Sequence, residues 1–228
     1  MSMVGRLMAV CLLVCASCGG SRAIPADPSA AAAMFRERCE KDRFVHCYNL
    51  GLLYSRGRGV KKDSASAALL WAKACKGGVA QSCGRIGGAY LHGHGVKRDP
   101  VKAIPLLKRG CKAKEGRSCF DLGQSYQNGK HVALSPEMSV YFYRASCVHG
   151  FMDGCSVLAA SYKRGFGVKK DLAVSSRLYQ KACRYGSAPG CTGVGDLHRM
   201  GLGVAQREDD SALNYDKGCR GGDPMGCV

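Results

Sequence analysis

The segment Cys75-Lys-Gly-Gly-Val-Ala-Gln-Ser-Cys83 contains two cysteines eight positions apart, and this spacing recurs along the chain. Such a pair occurs six times, and the first cysteines of successive pairs are always 36 residues apart. The six pairs are Cys39/Cys47, Cys75/Cys83, Cys111/Cys119, Cys147/Cys155, Cys183/Cys191 and Cys219/Cys227. A fixed period of this length predicts an array of repeated units, each of which buries its apolar face against its neighbours.

Each repeat has the hydrophobic pattern of two helices, which we call helix A and helix B. Helix A follows the second cysteine and carries an apolar residue, a small residue and a tyrosine on one face, as in Leu50, Gly51 and Tyr54. Because a glycine within a helix costs up to about 1 kcal/mol relative to alanine, we expect close packing there. A Gly-x-Gly-Val connection ends helix A, and a capping aspartate begins helix B. The pattern therefore predicts an all-α protein.

The first and third repeats depart from this pattern in ways that can be tested. Asp27 lies 12 residues before Cys39 and is the expected N-cap of a first helix of type B. The array is therefore expected to begin with half a repeat. In the third connection, His131 replaces a glycine and Ser135 replaces the capping aspartate, although the length is unchanged.

The N-terminal segment predicts export. Residues 1–18 combine an arginine with an apolar stretch too short to span a bilayer, as in a signal peptide. Small residues before Cys18 favour a lipoprotein signal in which Cys18 is lipidated, and ordinary cleavage after Ala23 is the alternative. We expect a linker at 19–26, a repeat domain at 27–228, and a location on the periplasmic side of a bacterial outer membrane or outside the cell.

Charge and cysteine content narrow the class of partner. The chain has 34 Lys and Arg against 17 Asp and Glu, a formal net charge of +17. This balance favours an acidic partner or a merely solvated surface, and export argues against nucleic acid. Three of the 15 cysteines fall within residues 1–18, which leaves 12. An even number in an exported chain is typical of an oxidised framework.

These motifs together resemble a known repeat. The 36-residue period with Leu-Gly-x-x-Tyr, Gly-x-Gly-Val, a capping Asp and a late aromatic residue in helix B resembles the Sel-one-like repeat, a relative of the tetratricopeptide repeat. The added Cys-x7-Cys spacing is similar to that of the Helicobacter cysteine-rich protein family. The resemblance covers about residues 27–228 and implies a right-handed α/α solenoid. It also implies that each cysteine pair forms a disulfide across a helix-turn-helix corner.

The spacing of the cysteines is compatible with the implied disulfides. Two cysteines eight residues apart on one helix would lie about 12 Å apart, too far to bond. At the end of helix B and the start of the next helix A they can meet across a turn, and closing such a loop stabilises the fold by about 2.5 kcal/mol. A zinc site usually needs Cys-x2-4-Cys, which these pairs lack, so we expect no metal and no cofactor. A metal site and a redox-active pair are the alternatives.

An enzymatic function is weighed because the resembled family is associated with penicillin binding and weak β-lactamase activity. The chain contains no Ser-x-x-Lys, Ser-Asp-Asn or Lys-Thr-Gly, the motifs of serine β-lactamases. It also lacks His-Glu-x-x-His and Gly-x-Ser-x-Gly. No catalytic residue is therefore assigned, and a weak hydrolase of the β-lactamase type is the alternative function. A factor that passes on disulfides is a third possibility, which the identical spacing of all six pairs disfavours.

The favoured function is that of an exported binding scaffold for another protein or a component of the cell envelope of the peptidoglycan type. Solenoids of helix pairs offer a concave surface, which in the resembled family is lined by helix A. Exposed positions of helix A are therefore the candidate binding residues. They are Arg56, Arg85, His92, Gln127, Lys163, Arg164 and Arg199. Most are basic, which favours an acidic partner, and the alternative is that they form solvated helix faces. The sequence does not predict the oligomeric state.

Overall fold

The computed structural model describes residues 24–227, which form an all-α array of helix pairs. The α-helices of this part of the chain all have 13 residues. They are α1 (Pro28–Glu40), α2 (Phe44–Arg56), α3 (Ser64–Lys76), α4 (Ala80–His92), α5 (Pro100–Lys112), α6 (Gly116–Asn128), α7 (Pro136–Val148), α8 (Met152–Arg164), α9 (Leu172–Arg184), α10 (Ala188–Met200) and α11 (Glu208–Arg220). A 3-10 turn, Pro224–Cys227, follows.

The even-numbered helices α2 to α10 are the predicted A helices, and the odd-numbered helices are the B helices. Each A helix packs most extensively against the B helix that follows it, and α4 also contacts α6, α6 contacts α8, and α8 contacts α10. The A helices therefore line one side of the array. The array begins with the B helix α1, as predicted from Asp27.

The helix ends follow the predicted capping pattern. Asp27, Asp63, Asp99 and Asp171 each accept backbone N–H groups at the start of a B helix, and Ser135 does the same for α7 through a 3.2 Å bond from Met138 N. Arg207 stands at the corresponding position of α11, where no side chain caps the helix. All five A helices end at a glycine in the left-handed conformation, where a side chain would be strained. These residues are Gly57, Gly93, Gly129, Gly165 and Gly201.

The six disulfides are present as expected. Each joins the end of a B helix to the start of the next A helix or, for the last pair, to the terminal 3-10 turn. The paired Cα atoms are 4.4–4.8 Å apart, a distance that the three-residue corner between the helices makes possible. The disulfides are Cys39–Cys47, Cys75–Cys83, Cys111–Cys119, Cys147–Cys155, Cys183–Cys191 and Cys219–Cys227.

The second cysteine of most pairs is also a core residue, which the sequence did not predict. Cys47 and Cys155 are both 0% exposed. Cys47 packs with Ala74 of the following B helix, and Cys155 packs in the same way with Ala182. The sequence analysis assigned these two cysteines a role in cross-linking alone, whereas the structure adds a role in packing between repeats. Thiol exchange needs access to a sulfur atom, so this burial disfavours the alternative of a redox-active pair at these corners.

The glycines within the A helices lie beneath large side chains of the following B helix. A Cβ atom at Gly51 would lie 2.5 Å from the indole nitrogen of Trp71, and one at Gly123 would lie 2.6 Å from the ring of Tyr143. Tyr143 is only 1% exposed, so it forms part of the core between α6 and α7. The expected close approach of the two helices is confirmed, and the side chain that requires it belongs to helix B.

Candidate functional site

A channel runs along α4 between α2 and α3 on one side and α6 on the other. Three adjoining cavities of about 730, 380 and 190 Å³ make it up. The first two share Arg85, Glu115 and Arg117, and the last two share His92 and Asp121. Gly88 lines the central cavity, and because an added Cβ atom there would meet only Asp121 Oδ2, the space above it stays open, whereas Gly84 lies in close contact beneath the hydroxyl of Ser118. We call this channel the α4 trough.

Two buried carboxylates stand along the trough, and each already has partners. Glu115, 9% exposed, accepts hydrogen bonds from the backbone N–H and the hydroxyl of Ser118 at 2.6 and 2.5 Å. Its other oxygen lies 3.2 Å from a terminal nitrogen of Arg85. Asp121, 2% exposed, accepts a 3.1 Å bond from Nε of Arg117 and lies 3.6 Å from Nε2 of His92. Both carboxylates therefore hold cationic side chains in place.

Arg117 is fixed by aromatic rings as well as by Asp121. Its guanidinium carbon lies 5.3 Å from the ring centre of Phe151 and 5.8 Å from that of Phe120. The two rings are 5.1 Å apart, so they form one wall beside the guanidinium group. Such cation–π contacts cost the guanidinium little of its capacity to bind an anion at its terminal nitrogens.

Three of the seven candidate residues line the trough, and four do not. Arg56 lines the largest cavity of the trough, while Arg85 and His92 line the central cavity. Gln127 instead accepts a 2.6 Å hydrogen bond from the hydroxyl of Tyr143. Arg164 is exposed on α8, away from these cavities. Lys163 and Arg199, the remaining two, belong to a separate network around α10.

The network around α10 joins its polar groups to one another. Asp196 accepts bonds from Lys163 Nζ at 3.3 Å and from the hydroxyl of Tyr215 at 2.8 Å, and Arg199 Nε donates to that hydroxyl at 3.0 Å. Lys163 also lies 5.9 Å above the ring of Tyr179. Burial, with a further contribution from Asp196, raises the pKa of Tyr179 to about 12. Burial and the bond to Asp196 likewise raise the pKa of Tyr215. These tyrosines stay neutral and serve as structural hydrogen-bonding groups.

Sequence reasoning missed several residues of the trough. Glu115, Arg117 and Asp121 belong to it, and so do two basic residues at its ends, Lys114 and His131. The available signal was a departure from the repeat: Lys114 stands where four other repeats have glycine, and His131 likewise replaces a glycine. Only the replacement at position 131 was part of the prediction.

The serines of the described chain that are bonded to carboxylates offer little of the chemistry needed for hydrolysis. The hydroxyl groups of Ser118 and Ser187 are bonded to carboxylates, Glu115 and Asp153, but these serines are 0% and 3% exposed. The other serines bonded to carboxylates, Ser29, Ser66 and Ser135, lie at helix N-termini. A serine nucleophile must be accessible to substrate and paired with a base. The paired serines of the described chain therefore serve as caps and packing groups.

The described helices offer neither a metal cluster nor a membrane span. Within residues 24–227 no group of three or more His, Cys, Asp or Glu side chains is arranged to hold a metal ion. In the same part of the chain no helix is both long and apolar enough to cross a membrane. Cys18, Ala23 and the predicted signal peptide at residues 1–18 lie outside the described residues.

The fold and the periodic disulfides define a class, that of the helix-pair repeat scaffolds that mediate protein–protein interaction. The family model of the Sel1 repeat matches the chain at residues 47–79, 80–114, 116–150 and 153–187. The chain therefore belongs to the Sel1 repeat family, as its motifs predicted. Its disulfides indicate an oxidising, exported environment. No curated protein sequence shows a significant match to it.

Solved structures that are similar to this chain come from several bacteria. The Escherichia coli protein c5321, described as a protective antigen of uropathogenic strains with an SLR fold, is 27% identical with a TM-score of 0.72. The alignment covers 88% of this chain and 43% of the E. coli protein, so the chain spans less than half of that relative. A Sel1 repeat protein from Oxalobacter formigenes is 22% identical with a TM-score of 0.75, over 85% and 79% of the two chains. Helicobacter pylori cysteine-rich protein B is 28% identical over 58% of this chain and 95% of its own, with a TM-score of 0.46.

Proposed function

We propose that this protein is an exported scaffold that binds a segment of another protein in the α4 trough. The observation that carries the proposal is the trough itself, an open channel beside Gly88 whose charged side chains are held by buried carboxylates. Preorganised polar groups beside an open apolar floor are typical of peptide-binding sites, because little ordering is needed on binding.

The proposal extends to location and partner. Cleavage before Cys18 and lipidation of that residue would hold the scaffold at the periplasmic side of an outer membrane, and cleavage after Ala23 would release it. In either case its partner is a protein or other component of the cell envelope or of the surroundings. The observations that support this are the predicted signal peptide and the oxidised cysteines.

Site-specific photo-crosslinking would test the trough. In one variant a photoreactive amino acid is placed at Gln81, which lines the largest cavity of the trough. In a second variant it is placed at Gln180, which is exposed on the B helix α9. In intact cells we expect one discrete protein adduct from position 81 and none from position 180. Equal labelling from both positions would contradict binding in the trough.

A variant that fills the trough provides the second arm. At Gly88 an added Cβ atom meets only Asp121 Oδ2, at 3.4 Å, so a leucine can extend into the cavity without displacing the core. Gly88→Leu should therefore abolish the adduct from position 81 while the protein remains folded. Ala160→Leu, at the equivalent position of α8 two repeats later, is the matched control and should leave the adduct intact.

The alternative function, a weak hydrolase of the β-lactamase type, has a direct assay. The oxidised protein is incubated in catalytic amounts with a chromogenic cephalosporin. We expect no turnover above that of the same protein carrying Gly88→Leu, since the serines paired with carboxylates are buried or serve as caps. Turnover proportional to protein and lost in that variant would replace the scaffold by an enzyme.

A further inference from the structure

The two ends of the α4 trough are marked by basic residues in an unfavourable backbone conformation. Lys114 has a φ of 63° and lines the largest of the three cavities. His131 has a φ of 67° and lines the smallest. An L-residue adopts this left-handed conformation only at an energetic cost, because its Cβ atom crowds the following carbonyl group. Residues held in such conformations concentrate at functional sites.

Most other repeats have glycine at the same two positions, where the conformation carries no such cost. The residues that correspond to Lys114 are Asp42, Gly78, Gly150, Gly186 and Gly222, and those that correspond to His131 are Gly59, Gly95, Gly167 and Gly203. Asp42 is the remaining non-glycine residue with positive φ among residues 24–227, and its carboxylate pairs with Lys73 at 3.1 Å. Lys114 forms no ion pair within the described residues. Packing therefore gives no account of why a lysine stands at position 114.

The charges between the two ends are unbalanced. Seven Lys and Arg residues line the three cavities against two carboxylates, Glu115 and Asp121, which are buried and already bonded. The seven are Arg56, Lys62, Arg85, Arg98, Lys114, Arg117 and Lys130. In the described chain one terminal nitrogen of Arg85 pairs with Glu115, which leaves the other terminal nitrogen as a donor for an anion. The trough as a whole therefore attracts anions.

The dimensions set the size of the occupant. The 13 residues of α4 span about 20 Å, which an extended chain covers with about six residues. A compact anion such as phosphate would contact one end only. An extended peptide can contact the cations at both ends at once.

We propose that the occupant is an acidic segment of a partner protein, about six residues long and extended along α4 between Lys114 and His131. This proposal rests on the proposed function and adds the chemistry of the ligand. Carboxylates near one end of the segment pair with Lys114, Arg85 and Arg117. Those near the other end face Arg98 and His131, whose side chains are 3.4 Å apart. The open floor at Gly88 accepts the backbone of the segment between them.

Selection from a random hexapeptide display library tests the ligand chemistry and requires no identified partner. The oxidised wild-type protein should enrich Asp and Glu about threefold or more over the input library, in at least two separated positions. The double variant Lys114→Gly/His131→Gly restores the residues of the other repeats, so it should fold at least as stably. Because Arg85, Arg98 and Arg117 remain, it should keep part of the enrichment, but it should bind the selected peptides about fivefold to twentyfold more weakly.

The control removes one positive charge elsewhere. Lys169→Gly lies in the exposed connection between α8 and α9 and should retain both the enrichment and the affinity. Selection of apolar or basic peptides, or acidic enrichment and affinity that the double variant keeps in full, would overturn the proposal, because the two ends of the trough would then take no part in binding. Either result combined with a position-81 adduct that Gly88→Leu abolishes would leave the binding scaffold standing and remove only its acidic ligand.

Discussion

The α4–α6 and α8–α10 regions have the same backbone plan and opposite contents. At α4 and α6, Arg85 and Asp121 face an open channel, whereas the residues 72 positions later, Val157 and Gly193, offer neither charge nor length. Gly193 is covered by the ring of Tyr179, with which an added Cβ atom would collide. A few positions of the repeat therefore decide whether the face formed by the A helices contains an open channel or is filled by side chains.

The polar groups of the two regions also differ in what they bind. Around α10, Asp196 bonds Lys163 and Tyr215 and so completes its own network. Around α4 and α6, the carboxylates fix arginines that retain further donors. A closed network stabilises the fold, while an open one is available to a ligand. Variants in each region can separate these two roles.

The largest expected effect comes from removing a disulfide from each region. Replacing Cys111 and Cys119 by alanine, or Cys183 and Cys191 likewise, opens loops of equal length and should destabilise the protein by about 2.5 kcal/mol in both cases. This corresponds to a fall of about 5–10 °C in the melting temperature, measured by circular dichroism without reductant.

Peptide binding should separate the two disulfide variants. The Cys111–Cys119 loop contains Lys114, Glu115 and Arg117, so its opening frees one end of the trough and should weaken the selected peptides at least fivefold at a temperature where both variants are folded. The Cys183 variant should bind as the wild type does. Equal loss of binding would show that the disulfides act on the array as a whole.

A glycine of the core should tolerate alanine poorly. In Gly123→Ala the new methyl group would lie 2.6 Å from the ring of Tyr143, which is 1% exposed and cannot move aside. We expect a loss of about 1–3 kcal/mol in guanidinium unfolding. Gly195→Ala is the matched variant near the C-terminal end, where the ring of Tyr215 is only partly buried, and should cost less. A neutral Gly123→Ala would argue against close packing as the reason for the glycine.

A glycine of the trough should respond in the opposite direction. Gly88→Ala places a methyl group at ordinary contact distance, 3.4 Å from Asp121 Oδ2, and removes the entropic cost of a glycine in a helix. The free energy of unfolding should rise by up to about 1 kcal/mol, or about 2–4 °C in melting temperature. A loss of stability would mean that Gly88 belongs to the core, as Gly123 does.

Local features of the fold were predictable from the sequence because each depends on a few adjacent residues. The capping carboxylate of Asp63, the left-handed Gly93 and the eight-residue separation within each cysteine pair all act within one turn or one corner. Family resemblance then supplied the pairing of the cysteines. The burial of Cys47 and Cys155 was not predictable in this way, because it depends on the B helix that packs over each corner.

The site was less predictable because it depends on which helix faces meet. Gln127 and Arg199 stay predicted binding residues, but helix spacing did not indicate that Tyr143 and Tyr215 of the following B helices form hydrogen bonds with them. The spacing of residues along one helix contains no information about a side chain arriving from another. The buried carboxylates of the trough were missed for the same reason, since acidic residues in a basic protein stand out only once their arginine partners are placed.

The smallest expected effect concerns the helix starts, and it depends on pH. Hydrogen bonds from the Ser66 hydroxyl and then the Ser66 backbone N–H hold the pKa of Asp63 below its ordinary value of 3.8. Because the folded state favours the charged form, this contribution to stability is present above about pH 3.8 and is lost as the pH falls through the lowered pKa. Ser135 caps α7 without a titrating group.

Asp63→Asn should therefore reduce the pH dependence of unfolding while keeping the cap. Asparagine is as good an N-cap as aspartate, so the melting temperature near neutral pH should change little. Between about pH 5 and about pH 2.5 the melting temperature of the variant should fall less steeply than that of the wild type. Ser135→Asn should leave the wild-type slope unchanged, since no charge is lost at α7. If Asp63→Asn kept the full slope, acid sensitivity would have to arise from other carboxylates, and the N-caps Asp27 and Asp99, whose pKa values are also lowered by hydrogen bonds at their helix starts, would be the next to replace.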